Sequence, residues 1–576
     1  MTSRIRATAL FAALLALPAT AQERPTIYRG GTIITMDGDA PQTVPAVVAK
    51  GGKILFAGDE ARARRAAGKK AEVHDLHGAT MLPGFIDAHS HFGIAMQMAG
   101  GLDLWDTALP PVTDIAALQG VIRDHIAHHG IAKGDWVVVW QYDNEKLTEK
   151  RHITRAELDA VSPDHKIVVL HQSLHALVAN SAALAAARLT DASEPPPGGL
   201  MLRDAEGHLN GVLLEKSTFL MLAAMPQLTP EQKLERLVAA QQRYFAEGYT
   251  HAQDGATMPA DLAFFTGPDA KAQLKIDLAL LPIYMGLDAL LAQPALHFGT
   301  YDRHVKLQGI KVILDGSVQA RTGYFTRDYE RGSPDGIHPW HGHPAMDQPA
   351  FDDLARKVTT RGWQLFVHAN GDAAIDMAIR GFDAAGITAA DDRRPIVIHS
   401  QFQRPDQLAD YRRIGVGPAY FSNHAWYWAD VHRTNFPKEV VDFISPFLSA
   451  RAAGLIVSNH SDFSVTPLDT RFMLWTSMAR VSPTGVVSGP DERLGAYEAL
   501  QALTTGPAWQ AFEEDRKGRI KAGLLADFVI LDRNPLTTPV DGIQAIKVLE
   551  TVKEGETVWG GEGRLIPRLI PQTGKH

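Results

Sequence analysis

Two hydrophobic periods alternate along most of this chain. Short apolar runs bounded by Gly, Pro or polar residues read as buried strands at 82–86, 248–253, 276–284, 308–314, 363–367, 395–398, 415–421 and 455–459. Between them lie segments with helical spacing. One begins at Thr229-Pro230-Glu231, an N-cap followed by Pro in the first turn, and continues through Leu234, Leu237, Val238, Gln241 and Phe245. Strands and helices in alternation predict an α/β protein, and eight such strands are the number a (β/α)8 barrel needs.

The two ends have a different texture. Short alternating strands at 27–28, 32–35, 46–49 and 54–56, punctuated by Gly30-Gly31 and Gly51-Gly52, match others at 526–531, 546–549 and 557–559. Neither set makes a stable sheet alone, so a composite β-sandwich closed from both termini is expected. The stretch from 92 to 247 exceeds one crossover. It holds strands at 136–140 and 167–170 and the turn Pro195-Pro196-Pro197-Gly198-Gly199. The expected division is therefore a signal peptide at 1–21, β-sandwich at 22–80 and 520–576, and barrel at 81–129 and 216–519. An inserted lid at 130–215 would lie over the barrel mouth.

Composition narrows the function. With 45% hydrophobic and 21% charged residues and a net charge of -8, the chain is globular and offers no basic track for nucleic acid. Arg4 and Arg6, the apolar run 7–17 and Ala19-Thr20-Ala21 before Gln22 have the form of a cleaved secretory signal. The run is too short to span a bilayer, which predicts a periplasmic or secreted protein free of the membrane after cleavage. The absence of cysteine excludes disulfides and thiolate ligands. A metal would have to be held by histidine, carboxylate or a modified side chain.

The strand ends carry that chemistry. The first ends in Asp87-Ala88-His89-Ser90-His91, and because alternate side chains on a strand share a face, His89 and His91 are expected to project together. The fourth carries Lys311, the fifth ends in His368, the sixth in His399, and the eighth in Asn459-His460-Ser461-Asp462. Barrel enzymes gather catalytic groups at these ends. Such a set could hold two divalent ions.

In this order the motifs resemble the amidohydrolase superfamily, and more narrowly the exported amidohydrolase 3 (YtcJ-like) group. The matching stretches are Leu82-Pro83-Gly84-Phe85-Ile86-Asp87-Ala88-His89-Ser90-His91, Gly309-Ile310-Lys311-Val312-Ile313-Leu314-Asp315-Gly316-Ser317, Val367-His368-Ala369-Asn370-Gly371-Asp372, Val397-Ile398-His399-Ser400-Gln401 and Ser461-Asp462. The tail Ala522-Gly523-Leu524-Leu525-Ala526-Asp527-Phe528-Val529-Ile530-Leu531-Asp532 completes them. The resemblance implies a (β/α)8 barrel with a composite β-sandwich, and hydrolysis by water activated on one or two divalent ions, zinc first among them. It makes His89, His91, Lys311, His368, His399 and Asp462 the metal ligands. The sequence departs from the pattern at Ile398-His399-Ser400-Gln401, where Glu-His-Ala-Gln is expected, and at His460, where a small residue is commoner.

A free ammonium cannot ligate a cation, so Lys311 bridges two metals only as a carbamate formed with carbon dioxide. Asp462 is expected to carry the catalytic proton as well as ligate. The loop Asn423-His424-Ala425-Trp426-Tyr427-Trp428 suits an apolar or aromatic substrate group, with His424, Trp426 and Trp428 as contacts and Asp254 and Asp315 on the polar wall. The expected activity is hydrolysis of a C–N bond in a small N-acyl or N-formyl compound. Cyclic-amide, carbamate or ester hydrolysis, deamination, or an inactive binding protein are the alternatives. A homodimer is left open.

Overall fold

The computed structural model describes residues 24–560 apart from 106–108, 173–175, 197–198, 294–295 and 335; the signal segment predicted at 1–21 lies outside the described residues. The fold is α/β with parallel and mixed sheets. One five-stranded sheet runs Phe85–Ile86, Tyr249–Thr257, Asp277–Pro282, Val305–Leu307 and Tyr301–Asp302, the last pairing antiparallel. A second runs Gly309–Ile313, Gln364–Ala369, Ile396–His399, Gly417–Tyr420 and Ser458–Asn459, parallel throughout. An isolated parallel bridge between Ile283 and Lys311 links them on one side. On the other, Ile86 and Asn459 donate backbone N–H groups to the adjacent carbonyls of Leu503 and Ala502, 2.9 and 2.8 Å away. Covered on both faces, the strands read as near-continuous apolar runs: every residue of Asp277–Pro282 and Ile396–His399 is buried.

The helix Pro230–Ala246 begins where its caps dictate, with Thr229 accepting from the Gln232 N–H and Gln232 reaching back in a capping box. It buries Leu237, Ala240, Gln241, Tyr244 and Phe245.

Strands from both ends of the chain share one eight-stranded sheet. Its hinge is Thr80–Pro83, which pairs in parallel with Thr26–Ile34 and antiparallel with Phe528–Leu531. The segment 82–86 is therefore not one strand. It breaks at Gly84, leaving Thr80–Pro83 in the terminal sheet and Phe85–Ile86 in the parallel one. The break is tight, since a Cβ at Gly84 would lie 2.4 Å from Thr250 Cγ2.

The insertion is a six-stranded sheet of Leu102–Asp103, Trp136–Tyr142, Lys166–His171, Ala176–Ala179, Leu209–Glu215 and Gly199–Arg203. It starts well before the predicted residue 130. Leu102 and Asp103 pair with Val139 and Trp140, and the helix Ile115–His129 contributes Leu118 and Ile122 to a core with Val137, Val139 and Ile167. Helix and sheet need each other to bury their apolar faces, so the unit cannot begin between them. Gln141 of this insertion donates to the Ser464 carbonyl at 2.9 Å, two residues beyond Asp462. Among the described residues no helix is long and apolar enough to cross a membrane.

Candidate metal centre

His89 and His91 do not sit on the strand. The chain leaves it after Ile86, and His91 stands immediately before the helix Phe92–Met98 without capping it through its side chain. Strand alternation therefore does not explain why the two rings converge; backbone lacing does. Asp462 N–H donates to the His89 carbonyl at 3.1 Å and His91 N–H to the Phe463 carbonyl at 2.7 Å. This places His89 Nε2 and His91 Nε2 at 3.8 and 3.4 Å from Asp462 Oδ1.

His89 Nδ1–H donates to Gln253 Oε1 at 2.8 Å, which leaves the Nε2 lone pair facing the site. Gln253 was not singled out from the sequence, although it lies at the end of a predicted strand. Gly255 is needed beside it, because a Cβ there would lie 2.1 Å from His89 Cε1. Lys311 Nζ stands 3.0 Å from His89 Nε2. Burial pushes its ammonium down to about 7, against the pull of Asp462.

On the other side of Asp462, His399 Nε2 lies 4.0 Å from Oδ2 and the His368 ring is 4.7 Å from the His399 ring. His399, Ser400 and Asp462 occupy the left-handed backbone region, with φ of 69°, 42° and 47°. Non-glycine residues held there cost about 1–3 kcal/mol each, a strain that collects at functional sites. His460, buried, puts Nε2 3.1 Å from His399 Nδ1. His89, His91 and Asp462 form one group of convergent donors, and His399, His460 and Asp462 another, each within 4.8 Å. Lys311 joins through His89 and His368 through His399. A third group, Asp277, His304 and Glu554, already has cations: Lys517, Arg516 and Lys553 all contact Asp277.

The predicted polar wall has a different task. Asp315 accepts from the N–H groups of Asn370, Gly371 and Tyr324 at 2.9, 2.8 and 3.0 Å and stands 3.3 Å from His368 Nδ1. Asp254 accepts from Gly93 N–H at 2.9 Å. Both carboxylates are buried; Asp315 fastens the loop after His368, and Asp254 the first turn of the helix after His91. The aromatic loop divides. His424 is buried 6.0 Å from the His399 ring, with Trp428 5.4 Å from it. Trp426 turns away to Trp475 and Phe472, at 5.1 and 6.0 Å.

Burial holds the imidazoles of His89, His399 and His424 well below their ordinary range, so they are neutral at pH 7. Burial alone would raise the Asp462 carboxyl, but His399, His91 and His89 hold it well below the usual value. Unprotonated imidazoles around an ionised, buried carboxylate are the donor set a divalent cation requires. Among the described residues, the buried Nδ1 atoms of His368, His424 and His460 make no hydrogen bond, although Asp315 stands beside that of His368. The residues present fit a metal.

Such a centre defines a class of metal-dependent hydrolases. The amidohydrolase family model matches residues 72–559, and the chain belongs to that family. It is 28% identical over 521 residues to the N-substituted formamide deformylase of Arthrobacter pascens, covering 88% of this chain and 94% of that one. It is 24% identical to YtcJ of Bacillus subtilis (strain 168), covering 92% and 99%. A metal-dependent hydrolase structure from Pyrococcus furiosus superposes with a TM-score of 0.71 at 22% identity, covering 89% and 100%. The protein is an enzyme, a metal-dependent amidohydrolase.

Proposed function

We propose that the enzyme hydrolyses the C–N bond of an N-formyl or N-acyl amine. The observation that carries this reading is the convergence of His89, His91 and His399 on one ionised carboxylate, Asp462, with Lys311 at hydrogen-bond distance from His89. The name of the Arthrobacter pascens relative points to the formamide end of the range.

His89, His91, Lys311 and Asp462 would hold one ion, and His399 with His368 a second; zinc suits this nitrogen and oxygen donor set. Bound there, a divalent ion lowers the pKa of water toward 7 and polarises a carbonyl. The rest is the work of the chain. Asp462, ionised before reaction, accepts the proton of the attacking water and delivers it to the leaving nitrogen, which departs as the free amine. Lys311, only partly charged near neutrality, can react through its free amine with carbon dioxide, giving a carbamate and a proton. His424 and Trp428 line the side where the substrate's apolar group packs.

In the same reading the two parallel sheets are halves of one (β/α)8 barrel, and the terminal sheet belongs to a composite β-sandwich. The insertion caps the mouth, held there by Gln141. Residues 1–21 direct export to the periplasm or beyond. N-terminal sequencing that begins near Gln22 supports that last point, and residues before Ala19 in the mature protein refute it.

Metal analysis by mass spectrometry, joined to a panel of N-formyl amines, N-acyl amines, cyclic amides, carbamates and esters, tests the function. One or two divalent ions per chain and fastest turnover of formyl or acyl amines are expected. A metal-free active enzyme would end the reading, and turnover confined to cyclic amides or esters would replace its substrate class.

A further inference from the structure

His460 is the residue at this centre that the family pattern does not require. It is fully buried and stacked on Phe421, ring centroids 5.0 Å apart and planes 18° from parallel. Its Nε2 lies 3.1 Å from His399 Nδ1, while His399 Nε2 faces Asp462 Oδ2 at 4.0 Å.

Two neutral imidazoles joined nitrogen to nitrogen share one hydrogen, and its owner decides what each ring can do. If His460 holds it on Nε2, His399 must carry its own proton on Nε2, where it meets Asp462 and cannot ligate. If His399 holds it on Nδ1, its Nε2 lone pair is free to face a cation. Ligating histidines ordinarily donate their remote N–H to a carboxylate, carbonyl or water, which fixes the tautomer. His399 Nδ1 has a histidine in that place.

We propose that His460 is a positioning residue that accepts the His399 Nδ1–H and so holds the Nε2 lone pair of His399 toward Asp462. This rests on reading His399 as a metal ligand. It also settles the role of the group His399, His460 and Asp462. The His460 Nε2 lone pair is used on His399 and is therefore withdrawn from the ion. The stack on Phe421 fixes the plane of the His460 ring.

The test uses zinc alone as the probe, with affinity read by chelator competition and content by mass spectrometry. His460→Phe keeps the stack on Phe421 and removes the acceptor. Zinc is expected to bind about 10–100-fold more weakly, the usual effect of losing such a partner. His460→Gln, whose side-chain oxygen can accept from Nδ1–H, should recover part of the loss. Unchanged affinity in His460→Phe, or equal loss in both variants with equal folded fractions, overturns the proposal. His399→Ala separates the two levels: if it keeps full zinc content and affinity, the ligand reading itself is wrong. Should His460→Phe not fold, nitrogen-15 NMR of the zinc-loaded unaltered protein decides. A proton on His399 Nδ1 is expected, and one on Nε2 overturns the assignment.

Discussion

Asp87 holds Ser461 twice: its carboxylate accepts the Ser461 backbone N–H at 3.0 Å and the hydroxyl at 2.5 Å. Asp87 follows the first strand of the parallel system and Ser461 follows the last. These bonds set the distance between the His89–His91 turn and Asp462. Burial pushes the Asp87 carboxyl up to about 7, so the residue resists ionisation when nothing compensates it. Asp87→Ala leaves two buried donors without an acceptor, at a cost of about 1–3 kcal/mol each. We expect a lowered Tm together with weaker metal binding in the folded fraction. A Tm loss with undisturbed metal affinity would show that the clamp serves stability alone.

Asp462→Asn keeps the size and one ligating oxygen but cannot accept a proton. The expected result is near-normal folding, some retained metal and a kcat lower by about 10²–10⁴, the scale of general acid–base catalysis. Turnover close to that of the unaltered enzyme would exclude Asp462 as the proton carrier.

Lys311 makes the stability of the metal-free protein depend on pH. Its ammonium is pushed down to about 7 from the ordinary 10.5. Between those values the unfolded chain binds a proton that the folded chain does not. Unfolding free energy therefore rises with pH across this window, with a limiting slope of about 1.4 kcal/mol per pH unit from this group. The burial penalty is present in full below pH 7. Denaturant titrations of metal-free protein and of Lys311→Met should differ in this slope. Parallel pH profiles would refute the assignment.

Trp428 and Trp426, close neighbours in the same loop, should separate. Trp428 packs on His424 and Trp426 on Trp475. Trp428→Ala is expected to raise KM for substrates with a large apolar group and leave Tm nearly unchanged. Trp426→Ala should lower Tm and leave KM of the folded enzyme alone.

Gly84→Ala tests the split strand. The added methyl would meet Thr250 Cγ2 and Oγ1 at 2.4 and 2.5 Å, an overpacking that costs about 1–3 kcal/mol. The double variant Gly84→Ala, Thr250→Gly should recover part of that loss. Additive losses would mean that the contact is not the cause.

The strands were legible in the sequence because burial on both faces writes them as unbroken apolar runs. The ligand types were legible because few residues other than histidine and carboxylate can serve in a chain without cysteine. The break at Gly84 had one signal, the Pro83-Gly84 pair, which reads as the turn into the strand when the rest of Leu82 to Ile86 is apolar. The start of the insertion was hidden because Leu102–Asp103 is two residues long and gains its partner only when Val139 arrives. The rear supports were hidden for a related reason. Gln253, Asp315 and Asp254 are ordinary polar residues until the fold aims them at a histidine or a loop amide. Trp426 and Trp428 share one composition and one loop, and the turn of the short helix His424–Tyr427 sends them to different neighbours.

The strand Thr80–Pro83 sets an order of assembly. One of its flanks is made by Thr26–Ile34, already synthesised when it emerges, and the other by Phe528–Leu531, made only after all the parallel strands. The strand that leads into the His89–His91 turn therefore waits with an open edge until that segment is made. Closing so long a loop is slow, and an unpaired edge invites other chains during the delay. A chain stopped short of Phe528 would contain every proposed ligand and still lack the strand that locks the first of them in place.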